Sequence, residues 1–164
     1  MPIIDPILAE IEWESRATAK ILERVPAAHF DWKPHEKSMS LGQLAWHIAG
    51  IPKRVEDLLR AGKFDVSQAR PGAAQSSTDG LVDAYQTNLA NARQYISGLD
   101  DATLKETFVM TRGEQTLMNL PKVALIRNVM MNHSYHHRGQ LSVYLRLLDV
   151  PVPAIYGTSA DEGM

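Results

Sequence analysis

The chain has 164 residues, enough for one domain with a hydrophobic core, and its 45% apolar and 22% charged residues are ordinary for a globular protein. A formal net charge of −2 gives no general electrostatic case for nucleic acid or an anionic membrane surface. The absence of cysteine excludes disulfides, a cysteine nucleophile and a thiolate metal site, so a transition-metal site must be built from His, Asp or Glu.

The start, Met1-Pro2-Ile3-Ile4-Asp5-Pro6, has no basic region followed by a long apolar run. Neither a signal peptide nor a membrane span is expected, and the expected compartment is the cytoplasm. No internal repeat occurs, so residues 1–164 read as a single domain.

Asp5-Pro6 reads as an N-cap with proline at N1. Ile7, Leu8, Ile11, Ile21, Leu22 and Val25 then recur with helical spacing, with Thr18 as a small polar interruption, until Pro26 stops the helix. Glu12, Glu14, Glu23 and Arg24 are expected on its solvated face. Residues 26–40 read as a loop pinned by Phe30 and Trp32, with His29 and His35 in solvent.

Ser40 with Gln43 is a capping-box pattern and opens a second helix. Its stripe is Leu41, Leu44, Ala45, Ile48, Ile51, Val55, Leu58 and Leu59, with His47 inside it. Pro52 is expected to kink or split this helix near Gly50. Residues 61–77 form a long aperiodic connection, long enough for a crossover. A third helix is expected from Thr78-Asp79, with the stripe Leu81, Tyr85, Leu89, Ala92, Ile96, Leu99. Residues 102–118 are either a short hairpin or an irregular link.

The fourth helix is expected from Leu120 to Leu148, with Asn119 as cap and Pro121 in its first turn. Its stripe runs Ile126, Met130, His133, His137, Leu141, Tyr144, Leu148, so two histidines occupy core positions. The proline-rich tail, residues 150–157, is expected to lie extended over the helices.

His133 and His137, four apart, share one helix face, a spacing at which two imidazoles reach one metal ion. A ring nitrogen left without a partner in an apolar setting costs on the order of 1–3 kcal/mol, and a metal removes that cost. His47, on the core face of another helix, supplies a third ligand. A lone histidine on an apolar face is more often a satisfied core residue, so the case rests on the three together. A set using His136 in place of His137 is the competing assignment. Three neutral nitrogens with the remainder open suit a catalytic divalent site: zinc or nickel first, iron(II) or manganese as alternatives. Water at such an ion has a lowered pKa, and a thiol is deprotonated outright.

Other chemistry is not supported. No dinucleotide or phosphate-loop motif and no Gly-x-Ser-x-Gly elbow occurs. Ser134 should point away from His133. Arg138 has three readings: an anionic-substrate contact, a subunit contact, or a helix-surface salt bridge. Gln140 either orients a ligand or packs. Tyr144 and Trp46 either line a pocket or belong to the core.

Three blocks together resemble the DinB-like family: Asn132-His133-x-x-His136-His137-Arg138-Gly139-Gln140-Leu141, Leu41-Gly42-x-Leu44-Ala45-x-His47-Ile48-Ala49, and Val152-Pro153-x-x-Tyr156-Gly157. The likeness spans about Asp5 to Gly157. It implies an all-α fold, a four-helix bundle of up-down-down-up topology with the long crossover between helices 2 and 3, in a homodimer. It also implies a divalent metal held by His47, His133 and His137. Some relatives are thiol transferases or thiol-dependent isomerases that use a low-molecular-weight thiol. The resemblance therefore implies a metal-dependent enzyme acting on a small molecule through such a thiol, with no nucleic acid or membrane partner. A metal-dependent hydrolase and a non-catalytic metal-binding stress-response protein are the alternatives.

Overall fold

Helix α1 spans Ile4–Leu22 in the computed structural model, which describes residues 1–69 and 75–163. It buries Ile7, Ile11, Thr18, Ile21 and Leu22 of the expected stripe and Ile4 besides, while Leu8 is half-buried and the helix ends four residues before Pro26, with Val25 buried beyond it. Its start differs from the expectation. Asp5 is not the cap but lies in the first turn, where its carboxylate meets the positive end of the helix. Pro6 is tolerated there because first-turn N–H groups have no partner within the helix. The Ile3 N–H instead donates to Asp101 Oδ1 at 2.8 Å.

Residues 26–40 hold a 3-10 turn, Ala27–His29, and are pinned as expected. Leu41 N donates to Trp32 O at 2.8 Å and Gly42 N to Phe30 O at 2.9 Å. The Phe30 ring lies so close to Gly42 that a β-carbon there would meet it at 2.3 Å. His29 and His35 are exposed.

The capping box forms at both ends: Gln43 N donates to Ser40 Oγ at 3.2 Å and Ser40 N to Gln43 Oε1 at 2.9 Å. It opens helix α2, Leu41–Ala61, which runs unbroken through Pro52, so the expected split does not occur. Asn88 Nδ2 donates to Ala49 O at 3.0 Å, supplying a bond in the turn that the proline disturbs. Gly62 ends the helix at φ 68°, with its N–H on Leu58 O at 3.0 Å.

The connection at 61–77 contains strand β1, Lys63–Asp65, and a 3-10 turn, Val66–Gln68; its residues 70–74 lie outside the described residues. Helix α3, Leu81–Ser97, starts after Gly80, slightly later than expected, and ends before Leu99. A short helix α4, Asp101–Lys105, is capped by Asp100, whose carboxylate accepts from Thr103 N at 2.7 Å.

Strands β2, Thr107–Arg112, and β3, Gln115–Pro121, form an antiparallel hairpin turning at Gly113, and β1 pairs parallel to β2. The hairpin reading of 102–118 is the one realised. The all-α expectation is corrected to a mostly helical chain with a small sheet of order β1-β2-β3. A strand of three residues, as β1 is, has too few alternations to register in a sequence.

Asn119 and Leu120, expected to cap and begin the fourth helix, instead belong to β3. Pro121 ends the strand and caps helix α5, Lys122–Leu125. The run continues without interruption through a π-helical segment, Ile126–Asn132, into α6, His133–Leu147. Asp149 then turns the chain at φ 56°, and Val150, Val152 and Ile155 of the tail pack on the helices as expected. No helix among the described residues is long and apolar enough to cross a membrane.

The interior divides into two apolar clusters. One joins Ile4, Ile7, Ile11, Val55, Leu59, Ile96, Phe108, Leu125 and Met130. The other joins Ile21, Leu22, Leu44, Ile48, Leu81, Tyr85, Leu141 and Leu145. Between them α1 contributes Glu14, Ser15 and Thr18, α2 contributes His47, and α6 contributes residues 133–138. The polar residues thus form a belt at mid-height.

Candidate metal centre

His47 sits on α2 where the two clusters meet, and His133 and His137 face it from the first turns of α6. Their Nε2 atoms converge: His47 to His133 at 2.9 Å, and His137 to His133 at 3.1 Å. The three rings stand nearly perpendicular to one another, with interplanar angles of 80–86°. One ligand atom from each of the three lies within 4.8 Å of the others.

An ion about 2.0–2.1 Å from each nitrogen spans nitrogens about 2.9–3.4 Å apart for ligand angles between octahedral and tetrahedral. The separations of 2.9 and 3.1 Å fall in that span. The donor set also fits electronically. The amide oxygen of Gln140 accepts from His137 Nδ1 at 2.7 Å, which leaves the lone pair on His137 Nε2, aimed at the common centre.

The rings are held neutral. Burial pulls the His47 pKa down from 6.5 to about 4, helped by the charges of His137, His133 and Arg54. His133 is lowered by burial, then by His137, His136 and Arg54. His137 is lowered by burial, against the Gln140 hydrogen bond, which acts in the opposite direction. Three neutral imidazoles converging nitrogen to nitrogen present lone pairs that a cation can take up at their centre. The three histidines therefore form a cluster able to bind a metal ion. His137 is 7% exposed, while His47 and His133 are half-buried and keep one side of the cluster toward solvent.

His136 is exposed, its ring 4.9 Å from that of His137, and lies outside the converging trio. Gln140 takes the orienting role. Trp46 Nε1 donates to Ser77 O at 2.8 Å. The Tyr144 hydroxyl donates to Met39 O at 3.3 Å, and its ring stands edge-on to Trp32 at 5.6 Å. Both aromatics are thus tied into the packing around the second cluster. Ser134 Oγ donates to Met130 O at 2.5 Å, away from the histidines.

Arg138 overturns two expectations at once. It is 3% exposed, so it is no surface salt bridge, and Glu14 is not a solvated residue but its partner, with Nη2 to Glu14 Oε2 at 2.5 Å. Nη1 donates to Glu14 O at 3.0 Å and to Thr18 Oγ1 at 3.1 Å. The Tyr156 hydroxyl accepts from Arg138 and donates to Glu14 Oε2 at 2.7 Å. The rings of Tyr135 and Tyr156 flank the guanidinium at 5.2 and 5.1 Å. A guanidinium with a bidentate-capable partner is the charge best suited to such burial. Arg138 therefore ties α1, α6 and the tail together, with both Nη groups engaged inside the protein.

The sequence reading missed Arg54, whose charge acts on both His47 and His133. The available signal was its place seven residues, two helical turns, after His47.

The sequence model of the DinB family matches residues 4–163. The chain is 28% identical over 163 residues to the uncharacterized protein YrdA of Bacillus subtilis (strain 168), covering 97% of this chain and 91% of that one. Its fold is similar to that of the DinB-like protein YjoA of Bacillus subtilis, with a TM-score of 0.70 at 21% identity over 92% of this chain and 98% of that one. A DinB-like protein of Bacillus cereus has a TM-score of 0.69 at 22% identity, covering 93% and 97%. At such identities these two structures establish the fold alone.

Proposed function

We propose that this chain, which belongs to the DinB family, is a metal-dependent enzyme that activates a low-molecular-weight thiol for S-transfer to a small electrophile. The observation that carries the reading is the convergence of three neutral imidazole nitrogens on one point with one side toward solvent. A divalent ion at that point supplies positive charge that favours the ionised, nucleophilic form of a thiol. His47, His133 and His137 donate the lone pairs, and Gln140 fixes the tautomer that presents one of them. The buried Arg138 clamp holds the ligand-bearing helix against α1.

Zinc or nickel suits the three-nitrogen set first, with iron(II) or manganese as alternatives. An up-down-down-up bundle of four helices, assembled as a homodimer with no nucleic-acid or membrane partner, belongs to the same proposal.

Elemental analysis of tag-free protein beside His133→Ala tests the metal. One divalent ion per chain is expected, and none in the variant. Thiol-dependent turnover of a chlorinated nitroaromatic tests the reaction. The sulfur forms the new C–S bond, chloride leaves with the C–Cl pair, and the thiol proton passes to solvent. Protein that holds metal but neither binds nor ionises a thiol refutes the proposal. Thiol-independent ester or amide cleavage would transfer it to hydrolysis. Metal retention with neither activity would mark a non-catalytic metal-binding protein.

A further inference from the structure

The open side of the histidine cluster is bounded by the face of α2 that carries His47, Gly50 and Arg54, at steps of three and four. Nothing lies within 4 Å of where a β-carbon on Gly50 would stand, so the helix surface between the histidine and the arginine is clear. Side chains on a helix lean toward its N-terminus, so Arg54 covers the turn that holds Gly50 rather than the turn beyond.

Arg54 is exposed and, among the described residues, has no carboxylate or hydrogen-bond partner, whereas its neighbours on the helix do. Lys53 pairs with Asp57 at 2.5 Å and Arg60 with Glu56 at 2.8 Å. These pairs engage the two acidic side chains of α2. Among the described residues no Asp or Glu joins the three histidines in the cluster. A divalent ion placed there would add two positive charges to a cluster of three imidazoles, with the Arg54 guanidinium two turns along the same helix as His47. A ligand that brings a negative charge would offset both.

We propose that Arg54 anchors a carboxylate of the substrate or thiol beside the three-histidine centre, so that the ligand class is a thiol carrying a carboxylate a few bonds from its sulfur. This rests on the metal reading above. The guanidinium fork matches a carboxylate in geometry as well as charge. The clear surface over Gly50 gives the ligand's connecting atoms a path between the two anchors.

The test uses the full chain loaded with cobalt(II), whose visible absorption reports ligand binding at the ion. Two probes of matched length are titrated: 3-mercaptopropionate and its neutral amide. The carboxylate form is expected to bind about tenfold tighter, as a charge-assisted hydrogen bond at a half-open site allows. In Arg54→Gln that preference should collapse to within about twofold while the amide binds as before, and Arg54→Lys should restore part of it. Circular dichroism and cobalt stoichiometry, both unchanged in the variants, exclude misfolding as the cause. Equal affinity for the two probes in the parent protein overturns the proposal and leaves the metal reading standing. So does a preference that survives in Arg54→Gln, because the ion alone would then account for it. A protein that takes up no cobalt overturns both.

Discussion

Replacing Glu14 by Gln removes one charge from a buried pair and little else. Arg138 is 3% exposed, and its Nη2 lies 2.5 Å from the Glu14 carboxylate. The variant keeps the main-chain Glu14 oxygen and Thr18 Oγ1 as acceptors for Nη1. What it loses is the negative charge that offsets the desolvated guanidinium. Breaking a buried pair on one side costs about 3–5 kcal/mol. Gln retains an oxygen, and the Glu14 side chain is 15% exposed, so the lower end, about 3 kcal/mol, is expected. That is about a 150-fold change in the unfolding equilibrium. In a chain of this length it lowers the thermal midpoint by roughly 6–12 °C. Urea unfolding followed by circular dichroism measures it, with an unchanged m-value showing that the unfolded state is not what moved. Glu12→Gln is the control: Glu12 pairs with Arg16 and Arg93 at the surface, and its loss should leave the midpoint nearly in place. Equal midpoints for the two variants would refute the clamp.

Gln140→Leu should weaken metal binding by about 10–100-fold without unfolding the protein, since it removes the acceptor that fixes the His137 tautomer; competition with a chromophoric chelator measures it. The metal-free protein should lose stability as pH falls from 6.5 towards about 4, because the folded state depresses the His47 pKa into that range and the unfolded chain takes up the proton first. Above 6.5 both states are neutral and that contribution is fully present. His47→Gln should show a shallower decline in urea midpoint, and parallel curves for the two proteins would contradict the assignment. Gly42→Ala should destabilise by about 1–3 kcal/mol through the Phe30 clash. By contrast Gly139→Ala, at a helical position with open space around it, should stabilise by up to about 1 kcal/mol in the same melts.

Where the sequence was legible, local rules and burial agreed. Ser40 with Gln43 announced α2, and both predicted bonds are present. Helical spacing put His133 and His137 on one face, the family resemblance selected His47 with them over a set using His136, and the three imidazoles converge. Glu14 escaped because a single carboxylate on a helix looks solvent-facing. Only a partner 124 residues away makes it internal, and that pairing leaves no periodic trace. Buried positions in α6 also drift from the straight-helix stripe: His137, Arg138, Leu141 and Leu145 are buried, where Tyr144 was expected. The departure lies within α6 itself, where 137, 141 and 145 follow steps of four and Tyr144 is half-buried at the edge of the same face. β1 and the end of β3 depend on pairing with β2, which short segments do not encode alone.

The mid-height belt has a consequence for how the protein opens. Each apolar cluster draws on α1, α2 and the long C-terminal helix, so neither half is local in sequence. Apart from Leu89, which packs against both clusters, the belt is crossed by polar ties: the histidine trio and the Glu14–Arg138–Tyr156 network. Native-state amide exchange should therefore resolve two protection levels, one per cluster, that exchange as separate cooperative units when the belt is cut. Loading the histidines with an ion should merge them, so the centre that binds the ion would also set whether the molecule unfolds as one body or two.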